Sequence, residues 1–143
     1  MELSRKKLLY IRFSYWLGAI LDALVFIEMI LYMFLDFQVS LGYPNVSDET
    51  RIVLVPGATL MLGWTFLLIW GDRKPIERKT ILLLTAIPVI LLFIFFDLLF
   101  YGLGKIFSSI LEVIAMVIIR GVIFIIFMSS YFLARNLEKE GKS

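Results

Sequence analysis

The sequence predicts an all-α polytopic membrane protein: a four-helix transmembrane bundle with both termini on the cytoplasmic side. Three observations carry this expectation. Hydrophobic side chains make up 61% of the 143 residues, where soluble domains hold about 45–50%. Four predominantly apolar stretches are each long enough to cross hydrocarbon as a helix. Lys and Arg concentrate on alternate connectors, as topology requires.

The composition also excludes chemistry. With no Cys and no His, the chain can form no disulfide, no thiolate or imidazole metal site and no His-based triad. The net charge is only +2, and the basic residues fall in short clusters at the span edges. Nucleic acid is therefore not an expected partner. No cofactor is expected, and the expected location is the cell membrane.

The first helix is expected at about residues 11–37. Arg5, Lys6 and Lys7 precede it as in a signal peptide, but the run is too long, contains acids and lacks a small-residue cleavage site. Ser14, Gly18 and Asp22 rise along one face with Ala19 and Ala23 beside them. Small residues at this spacing admit a neighbouring helix closely, which points Asp22 into a bundle. Glu28 lies about 240° further round and needs a different neighbour. Asp36 falls at the rim.

A polar segment, Gln38–Arg51, follows with the turn signal Gly42-Tyr43-Pro44-Asn45, and Ser47 or Asp48 can cap the next helix. Asn45-Val46-Ser47 matches a glycosylation acceptor, a loose pattern read here as chance. The second helix, 52–70, runs for nineteen residues without a charge. Pro56 sits in its first turns, where proline costs little, and Trp70 suits the interface belt.

Gly71–Lys79 is a short basic loop whose Arg73, Lys74, Arg78 and Lys79 can touch anionic headgroups, although the favoured account is that they only fix topology, since Asp72 and Glu77 dilute the patch. The third helix, 80–101, contains Pro88, which removes a backbone donor and kinks the helix. Asp97 lies near its far end, ahead of a tight turn at Gly102-Leu103-Gly104-Lys105.

The fourth helix, 106–134, contains the stretch Ser108–Ser130, twenty-three residues interrupted by only Glu112 and Arg120. A mid-membrane Arg costs about 2.5–3.5 kcal/mol on insertion scales, so Arg120 needs an anion or water. A polar tail, Arg135–Ser143, ends the chain. With the N-terminus inside, eleven Lys and Arg are cytoplasmic against Arg51 and Lys105 outside.

Placing the charges by depth yields candidate sites. Asp22 is about 16 Å from the inner end of its helix and Arg120 about 21 Å from the outer end of its own. An Asp22–Arg120 pair joining helices one and four is expected as a structural pair or gate, since two ions desolvated together cost less than one left unpaired. Glu28 and Asp97 lie about 25 Å above their inner ends, and Glu112 about 9 Å below the outer end of helix four. These three acids are the expected ion- or substrate-binding site. One Arg cannot compensate so many carboxylates, so some are protonated, solvated or bound to a cation.

Two functions compete. One is proton- or cation-linked transport of an ion or small solute through an outward-facing, carboxylate-lined site. The other is a non-catalytic subunit or lipid-binding assembly protein, whose charges act as polar glue or meet a partner. A homo-oligomer or a membrane partner subunit fits either reading, because four short helices enclose little volume. An enzyme is disfavoured: no two acids form a compact D-x-x-D arrangement and no phosphate-binding Gly loop is present. The nature of any bound metal is left open. The four-span layout with an acid in helix one resembles the small multidrug-resistance transporters in outline. Their flanking pattern around that acid is not present here, and this chain is longer with an extra buried Arg, so the likeness is one of fold alone.

Overall fold

The computed structural model describes residues 2–35, 48–104 and 110–140, with side chains described over 5–35, 51–104 and 110–140. It is all-helical: α1 (Glu2–Leu35), α2 (Asp48–Asp72), α3 (Thr80–Leu84), a π-helical segment (Thr85–Leu91), α4 (Leu92–Gly102) and α5 (Ile110–Glu140). The third apolar stretch is thus one span made of α3, the π segment and α4. Four helices are long and apolar enough to cross a membrane, at 5–35, 51–72, 80–102 and 110–140. Phe34, Val53, Ile52 and Leu111 are each more than 70% exposed. Exposed side chains this large are what a helix facing hydrocarbon presents.

The helices extend further than their apolar runs. α1 begins at Glu2, so Arg5, Lys6 and Lys7 form its first turns, and α5 continues to Glu140 through what reads as a polar tail. The reason is local: Leu3, Leu8, Leu9, Leu133 and Leu137 extend the helical pattern beyond the apolar stretches, and the intervening charges are good helix formers. Asp36, the polar segment with Asn45 and Ser47, Lys105, Ser108 and Ser109 lie outside the described residues.

Two compact units are distinguished: residues 15–70, and residues 1–14 with 71–143. In the first, Tyr32, Met33, Leu54 and Ala58 form a buried cluster against which Phe26, Met29 and Ile30 pack. Leu54, Ala58, Thr65 and Leu68 make the buried stripe of α2, at the spacing a 3.6-residue period dictates. Gly57 allows the helices to close: a Cβ there would stand 3.5 Å from the Met29 methyl. The Arg51 guanidinium donates to the Met33 carbonyl in the last turn of α1, satisfying a helix-end acceptor.

In the second unit, α5 packs along the whole third span, against α3, the π segment and α4. The expected turn after α4 is present. Leu103 N–H bonds to the Leu99 carbonyl at 3.0 Å and Gly104 N–H to Tyr101 at 2.9 Å. Gly104 takes φ 63°, the left-handed conformation glycine adopts without a Cβ clash.

Candidate functional site

Arg120 lies ten residues into α5, about 15 Å from its first residue. Its guanidinium ion-pairs with the Asp97 carboxylate on α4. It also donates to the Phe93 carbonyl at 3.4 Å and sits 5.1 Å from the Phe93 ring centroid. A carboxylate, a backbone oxygen and an aromatic face thus surround one cation, which lowers the cost of holding it among apolar side chains. Arg120 was expected on Asp22; the carboxylate it takes is Asp97.

The π segment explains this choice. With Ile81 set at zero on a regular helix, the buried residues Ile81, Leu82, Thr85 and Ala86 average about 70°, whereas Asp97 falls at about 160°. A single π-turn inserts one residue into the helical count and turns everything downstream back by about 100°. Asp97 then arrives at about 60°, on the face that α3 already turns to its neighbours. Pro88 lies inside this segment, where its missing N–H loosens the ordinary ladder. Thr85, buried, returns its hydroxyl to the Ile81 carbonyl at 2.9 Å. A one-residue change of register is invisible to a reading that assumes a regular helix.

A second polar set fastens the N-terminal part of α1 within the same unit. Arg12 grips Asp72 with both arms, Nε to Oδ1 and Nη2 to Oδ2, each at 2.8 Å. Asp72 is 8% exposed, so the fork supplies a carboxylate that is nearly out of solvent. Ser129 donates to the Ile126 carbonyl at 3.0 Å, so the Tyr10 hydroxyl is the donor in its 2.9 Å bond to Ser129. By the same logic Ser14 donates to the Tyr10 carbonyl at 3.1 Å and accepts from Ser130, with both serines fully buried. Lys79 meets Glu138 at 2.6 Å and Lys7 meets Glu140 at 3.5 Å. Within this unit the N-terminal part of helix one therefore touches helix four, and it does so through serines. The adjacent Ser129-Ser130 in an otherwise apolar run was the available signal, since buried hydroxyls in membrane helices seek partners across the interface.

The remaining candidates separate. Ser14, Gly18 and Ala19 are buried, as the small-residue face requires, and Asp22 is half-buried on the same face. One Asp22 carboxylate oxygen is buried with no hydrogen-bond partner among the described residues. Glu28 is half-buried. Glu112 is exposed in the first turn of α5, where a negative charge complements the helix dipole. It precedes Arg120 by eight residues, about 12 Å along the axis and about 80° round, so it does not join the Asp97–Arg120 pair. Glu28, Asp97 and Glu112 are thus not brought together within either unit. In the basic loop, Arg73 is exposed, Lys74 pairs with Glu77 at 2.9 Å and Lys79 is taken by Glu138. Among the described residues, no group of three or more acids stands close enough to hold a metal ion. Family models, curated proteins and solved structures were compared with the chain, and none matches.

Proposed function

We propose that this chain is a multi-pass membrane protein, with both termini inside, that moves a proton or a monovalent cation by exchange at Asp22. The observation that carries the reading is the buried Asp22 oxygen without a hydrogen-bond partner among the described residues, midway along an apolar helix. Buried polar atoms are ordinarily satisfied, and an intramembrane acid left open is the group a translocated cation can occupy. Asp97 Oδ2 is also buried without a hydrogen bond among the described residues, but Asp97 and Asp72 each ion-pair with a cation, Arg120 and Arg12, and the structure shows no such pair for Asp22 among those residues. The roles assigned from sequence are therefore exchanged between Asp22 and Asp97, with the Asp97–Arg120 pair forming the frame. The orientation rests on the eleven Lys and Arg of the terminal and Gly71–Lys79 segments against two elsewhere outside the spans.

The test is proton and alkali-cation flux into proteoliposomes under an imposed membrane potential. Wild-type protein and Asp22→Glu should carry flux above protein-free vesicles, and Asp22→Asn, checked for folding, should not. Wild-type flux through Asp22→Asn overturns the proposal. A second reading draws on the same open oxygen: a cationic side chain of a partner subunit would also satisfy it. That reading predicts a stoichiometric second protein on gentle extraction from the native membrane, lost in Asp22→Asn.

A further inference from the structure

The ion pairs of the unit formed by residues 1–14 and 71–143 do more than hold segments together. They consume acids. Asp72 is held by Arg12, Glu138 by Lys79, Glu140 by Lys7 and Glu77 by Lys74. Residues 2–12, 72–79 and 135–140 hold ten Lys and Arg against five Asp and Glu, a surplus of five positive charges. The surplus is not spread evenly. Arg5, Arg73, Arg135 and Lys139 are exposed and enter none of these pairs. They stand on three segments that the Lys7–Glu140 and Lys79–Glu138 pairs draw to one end of the unit.

Their arrangement suits a bound phosphate better than open water. Arg135 and Lys139 are four residues apart on α5, so they share a face, and like charges at that spacing repel unless an anion sits between them. One turn before Arg135, Tyr131 is half-buried and Phe132 is 48% exposed. Apolar surface, then an aromatic ring, then paired cations is the order in which a bilayer presents tails, interface and headgroup charge. The loop lysines expected to make this contact, Lys74 and Lys79, are instead engaged by Glu77 and Glu138.

We infer that Arg5, Arg73, Arg135 and Lys139 bind the phosphates of anionic glycerophospholipid headgroups, with Arg135 and Lys139 as the core of the site. The inference is independent of any transport by Asp22. It is tested with the full-length protein in vesicles of phosphatidylcholine containing spin-labelled phosphatidylglycerol or spin-labelled phosphatidylcholine. The association constant of each labelled lipid at the protein surface is read by electron paramagnetic resonance. Phosphatidylglycerol should be preferred, and the preference should fall about fivefold for each neutralised cation that contacts a headgroup, from about 1 kcal/mol per charge near the surface. Arg135→Gln and Lys139→Gln should each show that loss, while Lys74→Gln, whose charge is already met, should leave the preference unchanged. The combined variant, Arg135→Gln with Lys139→Gln, should lose both increments, and Arg135→Gln alone suffices if it fails to fold. Equal losses from Lys74→Gln and Arg135→Gln would overturn the site, as would an undiminished preference in the combined variant. Inorganic phosphate abolishing the preference at matched ionic strength would show a free-anion site and overturn the lipid assignment.

Discussion

Arg120 on α5 and Asp97 on α4 face one another because the third span gains one residue in its helical count between Thr85 and Leu91. On a regular helix the position turned toward Arg120 would be that of Phe96, about 100° away from Asp97. The pair is thus a readout of backbone register as well as of charge.

Straightening the π segment should therefore uncouple the pair. Pro88→Leu removes the residue that weakens the regular ladder, and should lower the unfolding midpoint in detergent by separating Asp97 from Arg120. Exchanging the side chains at 96 and 97, Phe96→Asp with Asp97→Phe, should rescue Pro88→Leu and harm the wild type. The same exchange harming both backgrounds equally would refute the register argument.

Breaking the pair from one side strands an ion. Arg120→Met should destabilise by about 3–5 kcal/mol, the range for a buried pair that loses one partner. Arg120→Met with Asp97→Leu should recover most of that loss, since two apolar residues replace two ions. Asp22→Asn in the Arg120→Met background should add its own effect and recover nothing. Equilibrium unfolding of these three variants, with Asp97→Leu and Asp22→Asn alone to complete the cycles, gives the coupling energies, and coupling to Asp22 instead of Asp97 contradicts the pair.

The fork between Arg12 and Asp72 predicts a difference between two cations. Arg12→Lys keeps the charge but loses the two-armed geometry, and should lower the unfolding midpoint measurably as one of the two charged hydrogen bonds is lost. Arg12→Ala should cost more, because Asp72 is nearly inaccessible to water. Equal costs for the two variants would mean that the fork contributes nothing beyond charge.

The serine contact offers a smaller effect. Ser130→Ala removes the bond to Ser14 and should cost about 0.6 kcal/mol, the average for such bonds between membrane helices. Ser14→Leu should cost several times more, since both positions are fully buried and a larger side chain forces the helices apart. The two are compared by unfolding in mixed micelles.

Much of the helical layout is legible in the residues themselves. The uncharged run from Ile52 to Trp70 and the run around Arg120 announce spans through length and hydropathy, which is a local property. The Ser14, Gly18, Ala19 face announces burial through side-chain size, and those residues are buried. Partner choice is different, because it depends on where helices stand after every turn has been summed. Depth alone put Asp22 and Arg120 at one level, but an unread π-turn rotates Asp97 onto the Arg. Pro88 marked the place of the irregularity and not its kind: a kink and an inserted residue begin from the same missing N–H. The Arg12–Asp72 fork escaped for a related reason. Each residue has an adequate local account, one as a topology charge and the other as a loop acid, so nothing in the sequence asks for their union.

The claim on which the other assignments depend is that Asp97, by way of the π-turn, is the residue facing Arg120. The chain has no cysteine, so introduced thiols report without background. Two double variants, Asp97→Cys with Arg120→Cys and Phe96→Cys with Arg120→Cys, are treated with a short bis-thiosulfonate reagent, and crosslinked peptides are quantified by mass spectrometry. The π-turned register predicts rapid crosslinking from position 97 and slow crosslinking from position 96. Faster reaction at position 96 would contradict the pair and return the Arg120 partner to question.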